Sequence, residues 1–264
     1  MAARETYKVY AIRYATLHKC AGENFLGGLD GDLHDGPMRM DYFIWLAASR
    51  SRTWVIDTGF NAAMADKRGR EFLRCPSEGL RLLGVDAASV ADVIVTHLHY
   101  DHIGNFDLFP AARFHLQERE MAFATGRHMR NPLYSGAFEV DEVVAMVRQV
   151  YAGRVVFHDG DVELADNLSL HLIGGHTLGL QVVRLWTASG WLVLASDASH
   201  YAANMQQGRP FPIVADIPAM MDGWERLRHL ADDPALIIPG HDPQVMTDFS
   251  APEPGMQGIV VRLA

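Results

Sequence analysis

The sequence predicts a layered fold of strands and helices, α/β or α+β, on three observations. Short apolar runs of strand length recur along the chain, helix-like amphipathic segments lie between them, and no linker-like or low-complexity stretch interrupts the 264 residues. The simplest organisation is one domain spanning residues 1–264, long enough to bury a substantial core. Four of the apolar runs share a further property: each stops at a histidine or an aspartate.

The first run is Asp92-Val93-Ile94-Val95, which reads as a buried strand and spills into Thr96-His97-Leu98-His99-Tyr100-Asp101-His102. Three histidines and an aspartate within six residues have few uses other than holding metal. A loop leaving the polar end of a strand is also where a rigid scaffold presents chemistry, so the site is expected at the edge of a β-sheet. Side chains two apart on an extended segment point the same way. His97 and His99 can therefore reach one ion, and Asp101 and His102, past the bend, a second. Four ligands cannot close two coordination shells, so further donors must come from elsewhere.

Three other strand ends supply them. His176 sits in Gly174-Gly175-His176-Thr177-Leu178-Gly179 between the apolar runs 168–173 and 180–186, where glycine permits a tight turn and close backbone approach. Asp197 ends the run Trp191-Leu192-Val193-Leu194-Ala195-Ser196, and a carboxylate there can bridge two cations. His241 follows Leu236-Ile237-Ile238-Pro239-Gly240. The isolated histidines His18, His34, His115, His158, His171 and His229 read as ordinary surface or core residues. Asp57-Thr58-Gly59, also after a strand, reads either as a turn in which the aspartate bonds its own backbone or as part of the site.

In order and spacing, Asp57-Thr58-Gly59, the THLHYDH block, GGHTLG, SDAS and PGHD resemble the metallo-β-lactamase superfamily of dinuclear metallohydrolases. Within it the chain is most similar to the N-acyl-homoserine lactonase branch and its relatives such as 4-pyridoxolactonase. The resemblance implies an α+β fold, a four-layer αβ/βα sandwich of two mixed β-sheets flanked by helices, its halves meeting near residue 165. It implies that His97, His99 and His176 hold one metal, that Asp101, His102 and His241 hold the other, that Asp197 bridges the pair and that Asp57 supports them from behind. Nitrogen and oxygen donors without thiolate suit two divalent ions, zinc by default, with manganese, iron or cobalt also compatible.

Paired ions can hold a bridging water, lower its pKa toward neutrality and present hydroxide to a carbonyl, so no serine or cysteine nucleophile is required. Asp101 or Asp197 could move the proton. That chemistry fits an ester, thioester, amide or, as the branch implies, a small-molecule lactone such as an N-acyl-homoserine lactone. One departure stands out. The homoserine lactonases carry a substrate-binding tyrosine three residues after the bridging aspartate; here His200 stands there, with Tyr201 next. Either side chain can stabilise an oxyanion or simply pack, and both are candidate catalytic residues.

Other readings fit less well. In glyoxalase II a helical extension binds glutathione, and this chain ends soon after His241. Flavodiiron oxidoreductases have an acidic residue where His99 stands, and sulfur dioxygenases call for iron. A structural or sensor metal protein would close the coordination positions that seven ligands on two ions leave open. The net charge of −9 argues against a nucleic-acid substrate, which needs clustered Lys and Arg. The N-terminus lacks the apolar core of a signal peptide, and no apolar run reaches membrane-spanning length, so a cytoplasmic protein without membrane partners is expected. Cys20 and Cys75 have no metal-binding spacing and are expected to be reduced thiols. Superfamily members often pair through exposed helices, which leaves room for a homodimer.

Specificity should come from the loops. Residues 18–40 interleave Gly22, Gly27, Gly28, Gly31 and Gly36 with Phe25, Leu26, Leu29, Leu33 and Met38, a composition suited to a flap over an apolar ligand or to an ordinary surface excursion. Residues 117–151 read as two helices around a loop. Met121, Ala122 and Phe123 on the first, and Val140, Val143, Val144 and Val147 on the second, are spaced to bury one face. The intervening Arg127, His128 and Arg130 either face solvent or meet a substrate carboxylate.

Overall fold

A computed structural model describes residues 5–28 and 35–264. Leu29, Gly31, Leu33 and His34 lie outside the described residues. The first sheet takes β1 (Lys8–Leu17), β2 (Met40–Ala48), β3 (Thr53–Ile56), β4 (Glu71–Phe72), β5 (Asp92–Ile94), β6 (Arg113–Gln117) and β7 (Val155–His158). The second takes β8 (Val162–Ala165), β9 (Leu168–Leu172), β10 (Gln181–Thr187), β11 (Gly190–Ser196) and β12 (Ile237–Pro239). The last strand, β13 (Val260–Arg262), returns to the first sheet beside β1. The strand orders are β13-β1-β2-β3-β5-β6-β7, with β4 on the far end of β1, and β12-β11-β10-β9-β8. Both sheets are mixed. In the first, pairing is antiparallel from β13 to β3 and parallel from β3 to β7. In the second, only β11 and β12 run parallel.

Period-two alternation explains the layering. Along β2, Phe43, Trp45 and Ala47 face the second sheet, where they meet Leu170, Leu185 and Leu194 among others. Tyr42, Ile44 and Leu46 point to the opposite face. There they are covered with Leu80 of the helix Pro76–Leu82 and Met146 of the helix Val140–Tyr151. The outer face of the second sheet, with Val182, Val193 and Ala195, is covered by the helix Ile217–Leu230. That helix starts where the Asp216 carboxylate accepts from the Ala219 N–H at 3.0 Å, and it buries Met220, Gly223, Trp224 and Leu227 at i, i+3, i+4 and i+7. The result is the four-layer αβ/βα arrangement.

The second sheet begins at Val162, close to the expected seam at 165, but the return of β13 interlocks the halves. The described part of the glycine-rich segment is packed down: Phe25 is buried, and the Leu26 N–H donates to the Pro210 carbonyl at 2.7 Å.

One expected core face needs correction. In the helix Val140–Tyr151 the buried residues are Val143 and Met146, whereas Val140 is 75% and Val144 41% exposed. Val140 is the first residue of the helix, and Val144 lies about 100° around the axis from Val143, so neither joins the inward stripe. Ala122 of the preceding helix is likewise exposed, while Phe123 is buried.

The same long helix carries Glu142, whose Oε2 is buried without a hydrogen-bond partner among the described residues. Burial, reinforced by the charges of Glu139 and Asp101, pushes its pKa up to about 8. The folded state therefore holds this proton when the unfolded chain has lost it. The associated stability is fully present below the ordinary glutamate pKa and is lost as pH rises toward 8. Glu142→Gln is expected to raise stability at pH 9 by about 1–2 kcal/mol, allowing for partial solvent access, with little change at pH 4. Urea midpoints at the two pH values check this; equal effects at both would refute it.

Candidate metal centre

The chain brings four strand ends to one edge of the sandwich. Beyond β5, His97 and His99 lie on an extended segment that turns into the short helix Tyr100–Ile103 with Asp101 and His102. Between β9 and β10, Gly174 and Gly175 take φ values of 74° and 85°, which turns the chain so that His176 faces inward. A Cβ on Gly175 would lie 2.6 Å from the Met220 Cα, so glycine also admits the helix Ile217–Leu230. β11 ends in Ser196 at φ 45°, followed by Asp197. After β12, Gly240 precedes His241, and a Cβ there would sit 2.8 Å from Asp197 Oδ1.

The side chains form two groups around Asp197. His97 Nε2 lies 3.0 Å and His176 Nε2 2.9 Å from His99 Nδ1, and Asp197 Oδ2 completes this set at 3.2 Å from His176 Nε2. The second set is Asp101, His102 and His241. Asp197 Oδ1 faces it, 3.3 Å from His102 Nε2 and 3.0 Å from His241 Nε2. One carboxylate thus turns an oxygen to each group. His102 Nε2, His241 Nε2 and Asp197 Oδ1 are buried and face one another without a well-formed hydrogen bond between them or to any other described residue. Buried polar atoms require partners, and cations between them fit that need with an all-nitrogen-and-oxygen donor set.

The outward ring nitrogens are fixed by the protein. His102 Nδ1–H donates to Asp57 Oδ2 at 2.7 Å, His176 Nδ1–H to the Ile213 carbonyl at 2.7 Å, and His241 Nδ1–H to the Asp41 carbonyl at 2.9 Å. The Thr96 hydroxyl donates to Asp57 Oδ2 at 2.8 Å and can accept from His97 Nδ1, 3.1 Å away. Each bond selects the tautomer that leaves Nε2 free to ligate. Asp57, at φ 62°, also accepts from the Thr96 N–H at 2.7 Å, so both of its oxygens serve the THLHYDH segment rather than its own turn. Burial and the neighbouring imidazoles hold the pKa values of His97 and His99 well below the usual histidine range, which keeps them neutral. Burial alone would raise the Asp197 pKa, but His200, His241, His102 and His176 hold its carboxyl well below the usual range, so it is ionised.

A cavity of about 270 Å³ opens on this centre, lined by His99, Asp101, His176, Asp197 and His200 and by outer residues including Tyr42, Tyr100 and Phe211. The structure separates the two residues that follow the SDAS turn. The His200 ring stacks on Phe211 with centroids 3.8 Å apart, and its Nε2 lies 3.0 Å from Asp197 Oδ2. Burial lowers the His200 pKa to about 3, so the ring is neutral. Tyr201, by contrast, does not line this cavity: its hydroxyl donates to the Arg39 carbonyl at 3.2 Å. The turn after Asp197 sends adjacent side chains opposite ways, so His200 and not Tyr201 lines this cavity. Arg127, His128 and Arg130 are exposed on a 3-10 turn and none lines the cavity. The cations that do are Lys19, Arg68 and Arg70.

Sequence reasoning also missed Glu120. It is fully buried and accepts from the Leu98 N–H at 2.9 Å, the Thr177 hydroxyl at 2.6 Å and the Gly179 N–H at 3.1 Å. Leu98 lies between His97 and His99, and Thr177 follows His176, so this carboxylate clamps two ligand loops together. A Cβ on Gly179 would fall 2.1 Å from the Glu120 nitrogen. The available signal was an acid on the buried stripe with Phe123 and Ala124.

Residues 39–241 match the family model of the metallo-beta-lactamase superfamily, and the chain belongs to that superfamily. Among curated relatives it is 29% identical over 180 residues to N-acyl homoserine lactonase AttM of Azorhizobium caulinodans, a match covering 64% of this chain and 65% of that protein. It is 31% identical over 176 residues to N-acyl homoserine lactonase AiiB of Agrobacterium fabrum, covering 62% and 61%. The chain thus spans somewhat under two thirds of these relatives. Its fold is that of solved N-acyl homoserine lactone hydrolases. One, with the product N-hexanoyl-L-homoserine at its catalytic metal centre, superposes with a TM-score of 0.75 at 19% identity over 94% of this chain and 98% of its own. The dizinc quorum-quenching lactonase AidC gives 0.70 at 19% identity, over 91% and 92%. No helix among the described residues is long and apolar enough to cross a membrane.

Proposed function

We propose that this protein is a dinuclear metal-dependent hydrolase that opens a lactone, an N-acyl-homoserine lactone or a related small lactone, and so could act in quorum quenching. The observation that carries this reading is Asp197, whose two oxygens face two separate ligand groups. In it His97, His99 and His176 would hold one ion, Asp101, His102 and His241 would hold the other, and Asp197 would serve both. When bound there, two such ions, zinc by default, would supply a nucleophile drawn from water near neutral pH and Lewis acidity toward an acyl carbonyl. Asp57, Thr96 and the carbonyls of Asp41 and Ile213 orient the imidazoles. Asp101 reaches both the second ligand group and the cavity, so its carboxylate is placed to carry a proton between nucleophile and leaving oxygen. His200, neutral and held by Phe211, steadies Asp197 through Nε2. The activity named for the curated relatives, lactone opening, supports the choice of lactone over other esters.

The test is proton release in a pH-stat from zinc-loaded protein given short and long acyl-homoserine lactones, γ- and δ-lactones, a simple ester and S-lactoylglutathione. Turnover of lactones, lost on chelation and restored by zinc, is expected. Hydrolysis of the thioester alone would replace the reading with a glyoxalase-like one.

A further inference from the structure

Three cations line the cavity of a chain whose net charge is −9. Arg68 is neutralised by Glu139, with Nε 2.9 Å and Nη2 2.6 Å from its Oε1, and its guanidinium lies over the Tyr100 ring at 3.9 Å. Among the described residues no carboxylate lies within ion-pair distance of Arg70 or Lys19, and Asp101 and Glu23 act on them only from farther off. Arg70 donates from Nε to the Tyr100 hydroxyl at 3.1 Å and from Nη1 to the Arg68 carbonyl at 2.7 Å, leaving Nη2 uncommitted among the described residues. Lys19 sits 4.7 Å from the Phe211 ring centroid and, among the described residues, donates only to the Glu23 carbonyl, at 3.2 Å. Both side chains are partly buried, where an unpaired charge is costly. A neutral acyl-homoserine lactone has no group that answers these two cations.

We infer that the substrate is a small lactone carrying a carboxylate, which Arg70 receives through its uncommitted Nη2 with Lys19 lining the same cavity, while the ring lies against Tyr42, Tyr100 and Phe211. This rests on the lactonase reading and narrows it. The Nη2 N–H groups can make charge-assisted bonds to a carboxylate, and partial burial strengthens such bonds. The chain of contacts from Arg70 to the Tyr100 hydroxyl, itself 3.4 Å from that of Tyr42, makes a polar shelf along the cavity wall. The carboxylate released when the ring opens forms at the metal end, so the shelf serves a second anionic group already present in the substrate.

The test compares a γ-butyrolactone carboxylate with its neutral carboxamide on zinc-loaded protein. The acid should show a kcat/KM about 10- to 100-fold higher, expressed mainly in KM. In Arg70→Met the acid-to-amide ratio should collapse toward one, with Arg70→Lys recovering part of it. Calorimetry supplies a readout without turnover: the ring-opened hydroxy diacid should bind more tightly than its monoamide, and Arg70→Met should erase the difference. Equal turnover of acid and amide, an Arg70→Met that lowers both alike, or hydrolysis of simple lactones with silence on both probes would overturn the inference while sparing the lactonase reading. Silence on every lactone would instead sink that reading, and the inference with it.

Discussion

Asp197→Ala is expected to lower lactone hydrolysis by at least about 10³-fold, the equivalent of roughly 4 kcal/mol in the barrier. The geometry explains the size. Asp197 Oδ2 lies against His176 and His200, and Oδ1 against His102 and His241. Removing the carboxylate leaves two half-sites with nothing fixing their separation and leaves several buried imidazole nitrogens without the acceptor they face. The fold should persist, because the strands that deliver the ligands are held by apolar contacts on both faces. Asp197→Asn, which keeps size but places an NH₂ on one side, should retain one ion and lose the second. Metal analysis beside far-UV circular dichroism reads both effects; a folded alanine variant that keeps two ions and wild-type turnover would contradict the bridging role.

The second large effect is assigned to a residue that touches no proposed metal ligand atom. Glu120→Ala strips acceptors from the Leu98 and Gly179 N–H groups and the Thr177 hydroxyl, all deeply buried. At about 1–3 kcal/mol for each orphaned group, with partial relaxation, a loss of about 3–5 kcal/mol in stability is expected. Zinc affinity should fall by about 10- to 100-fold, as it does when groups behind a ligand are removed. Glu120→Gln keeps the volume and one acceptor oxygen and should lie between. Urea unfolding and competition against a chromogenic chelator measure the two quantities. Lower stability with unchanged zinc affinity would make Glu120 a packing residue and nothing more.

The proposed metal ligands were legible because they are punctuated. Each follows an apolar run that stops, and glycine or proline beside His176 and His241 marks the turn, so local pattern alone brought them forward. What governs the cavity is not local. Lys19 comes from the chain after β1, while Arg68 and Arg70 precede β4; the pairing of β4 with β1 at Ala15–Phe72 and Thr16–Glu71 brings these segments together. No spacing in the sequence encodes that contact. Arg127, His128 and Arg130 offered a denser charge cluster, yet they sit on an exposed turn away from the cavity. The ambiguity between His200 and Tyr201 had the same origin, since one step along a turn decides which side chain faces the cavity. The layers followed from alternation in strands such as β2, but the return of β13 to the first sheet is a long-range pairing with no local signal.

The central claim is that two cations held by these seven side chains act together. The direct measurement is a zinc titration of metal-free protein, following bound metal and hydrolysis of a simple γ-lactone in the same sample. Activity should stay near zero through the first equivalent, rise with the second and then level off. Full activity at one equivalent, or undiminished activity in the metal-free protein, would contradict the dinuclear account.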